Sequence, residues 1–374
     1  MFPARRSLMA RVAPNADNWL IWVLGAVALL FALVRPLPVS DYAGLVDWST
    51  VGALAGLLIL IKGIELSGML QRAASQLLSR VTDMRRLALM LTAFAAGLSA
   101  VVTNDVSLFL LVPLTRSVAA QAKLPLARLV VLEALAVNAG SALTPIGNPQ
   151  NLFLWQSSGM GFAAFVAMMA PVVAIMLLLL CITVWWLVPR QPIELAPPAD
   201  TEVVSLRWFA ISGGLLLAFL VALACHQLVA ALALIGAIYL LCNRRVLART
   251  DWALLLIIGL MFVDLRQLAD LPATTALVQS LPIGQGLGTY LAGIVTSQAI
   301  SNVPAAILLQ RHVHDLLALA AGVSVGGFGF FIGSLANIIA LRLAQAPGAF
   351  REFHRIAIPF LLLTAAMVGL LFIH

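Results

Sequence analysis

The chain has 374 residues, of which 62% are hydrophobic and only 10% are charged, and its mean hydropathy is +1.05. Soluble domains carry about a quarter charged residues, so the composition excludes a water-soluble protein and indicates that the bilayer is the solvent. The net charge of +7 comes from basic residues near the ends of apolar stretches, a pattern that is typical of membrane topology signals and not of nucleic-acid binding.

Apolar stretches that are long enough to cross a bilayer recur along the whole chain, since a spanning helix needs about 20 residues. We predict spans at 18–36, 50–70, 126–158, 162–188, 207–225, 228–242, 252–269, 315–346 and 355–373. Two further apolar stretches, 87–119 and 286–310, are interrupted near their middle by polar residues. The predicted units are an N-terminal segment with the first helix (1–44), a first repeat (45–188), a cytoplasmic linker (189–206), a joining helical hairpin (207–250) and a second repeat (251–374).

The basic residues that flank the first interrupted stretch predict that it enters and leaves the membrane on one side. Arg86 precedes this stretch and Arg116 lies at its end, and cytoplasmic loops are enriched in Lys and Arg. A single crossing would place one basic cluster outside, whereas a re-entrant hairpin that turns at 103–105 keeps both inside. The same rule places the basic N-terminus in the cytoplasm. Four basic residues are exceptions to this topology: Arg35, Lys62, Arg266 and Arg311.

The second half of the chain repeats the polar pattern of the first. The pair 103–104 (TN) matches 301–302 (SN), and the segment 140–151 (GSALTPIGNPQN) matches 326–337 (GGFGFFIGSLAN). By the charge rule the first repeat starts outside and the second inside. The predicted fold is therefore an all-α polytopic membrane protein with inverted-topology repeats, each with a re-entrant helical hairpin and a broken helix. Such repeats allow alternating access in secondary transporters.

Four polar interruptions, two in each repeat, form the candidate binding site. Irregular backbone at membrane depth must be buried in protein or line a cavity. Ser, Thr, Asn and Asp are good helix caps, and Pro suits the first helical position. Half-helix N-termini attract anions, whereas C-terminal ends and unwound carbonyls suit Na⁺. The candidate substrate- or ion-binding residues are Thr103, Asn104, Asp105, Gly147, Asn148, Pro149, Asn151, Ser301, Asn302, Pro304, Gly333, Ser334 and Asn337.

Ionisable residues within the apolar spans are candidates for ion coupling. A charge at mid-bilayer costs about 2.5–3.5 kcal/mol, so such residues are usually functional or paired. Asp105, beside Asn104 at the predicted tip, and Glu133 are the candidates for proton coupling. Glu133 has an alternative role as a partner of Lys62, which can instead pair with Glu65 on its own helix. The sequence predicts no metal site apart from one for Na⁺, and no cofactor other than Na⁺ as a coupling ion.

The motifs TNDVSLFLLVPLT (103–115), GSALTPIGNPQNLFL (140–154) and SNVPAAILL (301–309) resemble those of the ion transporter superfamily, and the likeness extends over about residues 45–370. This superfamily includes citrate permeases, divalent-anion/sodium symporters, the membrane subunits of arsenite pumps and a class of Na⁺/H⁺ antiporters. The resemblance implies a substrate held between opposed hairpin tips, a homodimer, and a scaffold with an elevator-like transport domain. The resemblance implies Ser-Asn-Thr at both tips for the dicarboxylate symporters, whereas the third positions of the two tips are Asp105 and Val303 in this chain. The intramembrane carboxylate of Asp105 favours proton or cation coupling.

The sequence therefore predicts a secondary active transporter of a small anion, a carboxylate or an oxyanion, coupled to H⁺ or Na⁺ by elevator-like alternating access. A Na⁺/H⁺ antiporter and an arsenite exporter are the alternatives. An intramembrane enzyme is a remote alternative, because the sequence contains no H-E-x-x-H and no clustered His. The expected partners are a small ionic substrate, the lipid bilayer and a second copy of the chain, without nucleic acid. The expected location is the inner cell membrane, crossed several times.

Overall fold

The computed structural model of the protein describes residues 18–69, 72, 76, 81–122, 124–193, 204–272, 283–284 and 286–373. These residues form helices and no strand, with two short 3₁₀ turns at Phe331–Gly333 and Leu370–Phe372. The basic N-terminal segment and much of the predicted linker lie outside the described residues. The α-helices are α1 (Asn18–Val34), α2 (Val39–Leu45), α3 (Trp48–Leu66), α4 (Met84–Val102), α5 (Asn104–Ala122), α6 (Leu126–Ser141), α7 (Pro149–Ser158), α8 (Phe162–Leu187), α9 (Leu206–Ala224), α10 (Leu228–Cys242), α11 (Arg244–Arg249), α12 (Trp252–Ala269), α13 (Leu287–Ile300), α14 (Asn302–Gln310), α15 (Leu316–Val325), α16 (Leu335–Ala344) and α17 (Ala349–Gly369).

Many of these helices are apolar enough to lie in a bilayer. Within the described residues, six helices have the length and composition to cross a membrane: Trp48–Leu66, Met84–Val102, Phe162–Leu187, Leu206–Leu223, Trp252–Ala269 and Ala349–Phe372. Large apolar side chains such as Trp22, Trp186 and Leu241 are exposed on the outer helices, as expected for surfaces that contact lipid tails. The interior, by contrast, is built from the buried faces of α3, α6 and α15.

The two repeats begin with the same local structure, a likeness that the sequence analysis overlooked. Asp47 caps α3 and Asp251 caps α12, and each carboxylate accepts the backbone N–H three residues further on, at 3.0 and 3.1 Å. The adjacent indoles of Trp48 and Trp252 each donate to the carbonyl five residues earlier, at 2.8 Å in both cases. An Asp-Trp pair therefore marks the start of each repeat.

Each repeat continues with a helical hairpin and a broken helix, which confirms the predicted fold class. In the first repeat α4 and α5 form the hairpin, and α6 and α7 are the halves of the broken helix. In the second repeat α13 and α14 form the hairpin, and α15 and α16 are the halves. The predicted spans 126–158 and 315–346 are thus each two half-helices, separated by the irregular segments 142–148 and 326–334.

In both repeats the first hairpin arm packs closely against the first half of the broken helix. α4 packs on α6 where Gly140 meets the backbone of Ala96, and α13 packs on α15 where Gly322 meets the backbone of Tyr290. A Cβ at either glycine would overlap the facing carbonyl group, so both positions require glycine for this close approach. Five other helices, α1, α3, α9, α10 and α12, form a second group, in which α1 packs on α12 and both α9 and α10 pack on α3. The long helices α8 and α17 pack instead on α6.

Candidate functional site

The two hairpin tips share one unusual backbone conformation. Thr103 has φ 84° and ψ 154°, and Ser301 has φ 75° and ψ 156°, a region that is almost restricted to glycine. A residue held there costs of order 1–3 kcal/mol, so the surrounding structure must hold both tips in place. At each tip the following asparagine accepts the next backbone N–H with its side-chain oxygen, Asn104 at 3.0 Å and Asn302 at 2.9 Å. Ser301 makes no side-chain capping bond to α14, and its predicted role in binding a substrate or ion stays a prediction.

The first break is organised by two asparagines. Asn148 Oδ1 accepts the N–H of Asn151 at 2.8 Å and Pro149 occupies the first turn of α7, which confirms the predicted start of this half-helix. Asn151 Nδ2 donates to the carbonyls of Ala142 at 3.0 Å and Thr144 at 3.2 Å. The amides of Asn148 and Asn151 thus satisfy groups that the interruption of the helix leaves without intrahelical partners.

The first tip and the first break are bonded to each other. The backbone N–H of Asn104 donates to the carbonyl of Gly147 at 2.9 Å, and Thr144 Oγ1 donates to the carbonyl of Ala100 at 2.6 Å. Gly147 is needed here because a Cβ would overlap the backbone of Ser141. The tip of the first hairpin therefore lies at the interruption of the broken helix, as the re-entrant topology predicts.

The second break is held by a residue that the sequence analysis missed. Gln298, on α13, donates through Nε2 to the carbonyls of Gly326 at 2.5 Å and Phe328 at 2.9 Å. Its Oε1 accepts the N–H of Phe330 at 2.8 Å. Only its position in a hairpin arm of the second repeat could have singled it out in the sequence.

The predicted residues of the second repeat lie at the same places as their counterparts in the first. Ser334 precedes α16 and accepts the N–H of Ala336 at 3.3 Å. Gly333 ends the 3₁₀ turn before it, and Pro304 lies in the first turn of α14.

Three asparagines bring the two repeats together. Asn138 Nδ2 donates to Asn337 Oδ1 at 2.8 Å, and Asn337 Nδ2 donates to the carbonyl of Gly327 at 2.8 Å. A Cβ on Gly327 would lie 3.3 Å from Asn302 Nδ2 and 3.5 Å from Asn138 Oδ1, so all three amides surround this glycine. The sequence analysis missed Asn138, although an Asn in the apolar run of α6 is a signal that could have found it.

Four half-helices begin at this centre. α5 and α14 start at the tips, and α7 and α16 start at the breaks. α14 packs on α7, and α16 packs on both α5 and α6. Each helix N-terminus carries about half a positive elementary charge and free N–H groups. Asp105 is the acidic residue in the first turn of α5, and the other predicted site side chains that the structure describes here are neutral.

The two intramembrane carboxylates that the sequence linked to Lys62 have separate partners. Glu133 is fully buried on α6, and its Oε1 accepts a hydrogen bond from the hydroxyl of Thr115 on α5. Lys62 Nζ lies 2.5 Å from Glu65 Oε2. The structure therefore replaces the Lys62–Glu133 alternative with a Lys62–Glu65 pair, and it leaves Glu133 as a buried carboxyl inside the hairpin and broken-helix unit.

Comparison with known proteins shows the family of this chain. Residues 13–316 match the family model described as citrate transporter. The inner membrane protein YbiR of Escherichia coli K12 is 41% identical over 347 residues, which cover 93% of this chain and 92% of the relative. The uncharacterized transporter MJ0456 of Methanocaldococcus jannaschii is 31% identical over 330 residues, which cover 86% and 87%. The family and the relatives named for an activity are transporters, which confirms that the protein is not an enzyme.

A solved structure shares the fold. The YdaH transporter of Alcanivorax borkumensis, whose crystal structure is described as revealing an unusual topology, matches with a TM-score of 0.55. The match covers 96% of this chain and 98% of that one, at 16% identity.

Proposed function

The chain belongs to the citrate transporter family, and we propose that this membrane transporter moves a small anion, a carboxylate or an oxyanion, by secondary active transport across the inner cell membrane. One observation carries the proposal: four helices start at the two hairpin tips and two helix breaks, and the Asn104–Gly147 and Asn138–Asn337 hydrogen bonds join these segments. Convergent N-termini offer free N–H groups and partial positive charge, which bind an anion without a fixed ionic partner.

The chemistry of the surrounding side chains agrees with an anion that must be released again. The amides of Asn138, Asn302 and Asn337 can donate hydrogen bonds, and no desolvated Arg or Lys is needed to hold the ligand. A site without a basic residue binds an anion weakly enough for release on the far side, whereas a buried ion pair would be costly to break.

The coupling ion is H⁺ or Na⁺, and two carboxylates are the candidates for carrying a proton. Asp105 follows Asn104 in the first turn of α5, at the first tip. Glu133 lies on α6, five residues before Asn138 and hydrogen-bonded to Thr115. Both belong to the hairpin and broken-helix unit, so a proton carried on either would move with the anion.

An elevator-like movement is supported by the packing of the helices. α4 to α7 and α13 to α16 contain both hairpins and both broken helices, which are joined through close glycine contacts and the Asn138–Asn337 bond. α1, α3, α9, α10 and α12 form the other group and are the proposed scaffold. In the proposed cycle the first group slides against the scaffold and carries the site across the membrane. The scaffold is also the proposed contact of a homodimer.

Uptake into proteoliposomes tests the proposal. Purified protein is reconstituted with an imposed pH or Na⁺ gradient, and uptake of labelled citrate, a dicarboxylate, sulfate and phosphate is measured. Asn104→Ala and Asn302→Ala are expected to lower uptake at least tenfold, because each removes the amide that shapes a hairpin tip. Asn243→Ala is the matched control, since this residue precedes the short helix α11 and makes no side-chain capping bond. Wild-type rates in both tip variants would disprove the site.

A Na⁺/H⁺ antiporter is the second candidate, and the buried carboxyl of Glu133 is the observation that favours it. In the same vesicles an antiporter would acidify or alkalinise the lumen in response to a Na⁺ gradient without any added anion. An arsenite exporter would instead load inverted vesicles with arsenite. The response to these three conditions separates the candidates.

A further inference from the structure

The C-terminal end of α8 carries two tryptophans on the outer surface of the protein. Trp185 and Trp186 are 59% and 83% exposed in the last turn of this helix. Leu178 and Ile182 are also exposed, and at 3.6 residues per turn they lie on the same face of α8 as the two indoles. This face is an apolar stripe that runs along the helix and ends at the tryptophans. Tryptophans are enriched in membrane proteins at the level of the lipid headgroups.

Arg85, in the first turn of α4, stacks on the first of these indoles. Its guanidinium carbon lies 4.6 Å from the centroid of the Trp185 ring, and its Nε donates to the carbonyl of Val188 at 2.8 Å. A cation over an indole face is attracted by the electrons of the ring, so the stacking holds the guanidinium at the end of the apolar stripe. The terminal amino groups of Arg85 make no hydrogen bond or ion pair with the described residues.

A second arginine is brought to the same place by the chain that follows α8. The N–H of Met84 donates to the carbonyl of Gln191 at 2.8 Å, and the N–H of Ile193 donates to the carbonyl of Thr82 at 2.9 Å. This antiparallel pairing fixes Arg190, the residue before Gln191, beside the start of α4. Arg190 is exposed and makes no hydrogen bond or ion pair within the described part of the chain.

The surface at this end of α8 has an excess of positive charge. Arg86 is exposed and pairs with Asp83 at 3.1 Å, and Arg128 pairs with Glu352 at 2.9 Å. The two arginines described above have no such acidic partner in the described structure. A topology signal needs only basic residues near the end of a helix. It requires neither the stacking on an indole nor the convergence of two chain segments on one place.

We propose that Arg85, Arg190, Trp185 and Trp186 form a binding site for an anionic phospholipid. The two guanidinium groups hold the phosphate, whose oxygens match the planar arrangement of their N–H donors. The acyl chains lie along the apolar stripe of α8. A soluble phosphate would need the arginines alone, whereas the stripe and its exposed indoles continue away from the charges and suit a lipid. Basic pockets at the membrane surface are a known kind of site for anionic lipid headgroups.

Thermal unfolding of the purified full-length protein in dodecyl maltoside tests the site. Dioleoylphosphatidylglycerol is added over a range of concentrations. Dioleoylphosphatidylcholine has the same acyl chains on a zwitterionic headgroup, and glycerol 3-phosphate has an anionic phosphate without acyl chains. A ligand that binds only the folded protein raises Tm in a saturable way, and we expect this rise with phosphatidylglycerol alone.

Two substitutions test the two parts of the site. Arg190→Gln removes an unpaired charge from an exposed segment, and it is expected to weaken the apparent affinity for phosphatidylglycerol about fivefold. Trp185→Leu keeps an apolar side chain but removes the ring beneath Arg85, and it is expected to weaken the affinity in the same direction. Both residues are exposed, so the Tm without added lipid is expected to stay close to that of the wild type.

Arg249→Gln is the matched control, because Arg249 is an exposed arginine at the end of α11 and the substitution removes the same charge from another basic surface. It is expected to bind phosphatidylglycerol as the wild type does. The proposal is overturned if phosphatidylcholine or glycerol 3-phosphate raises Tm as much as phosphatidylglycerol does. It is also overturned if Arg190→Gln keeps the wild-type affinity, or if Arg249→Gln loses as much.

A second copy of the chain is the other occupant that could cover the tryptophans. Size exclusion with light scattering distinguishes it from a lipid. A Trp185→Leu variant that loses its dimer but keeps the wild-type affinity for phosphatidylglycerol would show that this face is a protein interface, and the lipid site would be wrong.

Discussion

The side-chain amide of asparagine is the group on which the centre of this protein depends. It offers a donor and an acceptor without a charge, so it can be buried at membrane depth at a lower cost than an ionised group. Asn104 and Asn302 use the oxygen to shape a hairpin tip, whereas Asn138 and Asn337 connect the two repeats. The sequence identified three of these four residues because they stand at visible interruptions. Asn138 was missed because α6 continues through it without a break.

Glu133→Gln tests proton coupling at the scale of one residue. Gln can still accept the hydrogen bond from Thr115 but cannot take up a proton. We expect uptake driven by a pH gradient to fall at least tenfold, while exchange of anion between equal pools inside and outside continues.

Thr115→Val is the control for that substitution, because it removes the hydrogen bond and leaves the carboxyl. It is expected to keep the response to the pH gradient. If Glu133→Gln accumulates anion as the wild type does, Glu133 is not the coupling group, and Asp105 becomes the remaining candidate.

At the scale of helices, the sequence predicted each interruption and explained it through local chemistry. The start of α7 is the clearest case, since Asn148 caps it and Pro149 follows in the first turn. The helix α5 begins at Asn104, directly after the strained backbone of Thr103. No pattern in the sequence indicated that strain, which neighbouring contacts hold in place.

Gly140→Ala tests the packing of the hairpin on the broken helix. The added methyl group would overlap the carbonyl of Ala96, and overpacking of this kind costs typically about 1–3 kcal/mol. We expect a lower Tm in detergent and a less monodisperse protein on size exclusion.

Gly97→Ala provides the comparison, since Gly97 lies on the facing helix α4, next to Ala96, and its new methyl group would meet no atom within 4 Å. It should leave Tm unchanged or raise it, because Ala is favoured over Gly in a helix by roughly 0.5–1 kcal/mol. Equal destabilisation by both substitutions would show that helix α4 does not need close contact at Gly140.

At the scale of the whole molecule, three of the four basic residues that break the charge rule are held near one end of α12. Arg35 donates to the carbonyl of Asp270 at 3.2 Å, and Arg311 pairs with the Asp270 carboxylate at 3.3 Å. Arg266 donates to the carbonyl of Gly44 at 2.9 Å. The Arg311–Asp270 pair connects the end of the second hairpin to the proposed scaffold, so an elevator movement must break it.

Crosslinking tests this movement. In a chain without its three exposed native cysteines, Asp270→Cys and Arg311→Cys are joined with a flexible bifunctional thiol reagent. A crosslinker is used because the Cα atoms of a disulfide must lie within about 7 Å, which a long Arg–Asp pair need not satisfy. We expect the crosslinked protein to lose uptake at least tenfold.

The same treatment of the single variant Asp270→Cys is the control and should leave uptake unchanged. Full activity of quantitatively crosslinked protein would mean that α14 stays beside α12 throughout the cycle. In that case the second hairpin does not belong to a moving unit.

The sequence by itself determined the solvent, the order of the helices and the inverted repeat, because these depend on hydrophobic length, on polar interruptions and on basic residues at helix ends. It also identified most polar residues at the tips and breaks. Only the tertiary structure decided which of them meet. It joined Glu133 to Thr115 and brought Asn138 to Asn337. These contacts connect residues far apart in the chain, and their geometry depends on how two packed repeats fit together, for which local patterns carry no information.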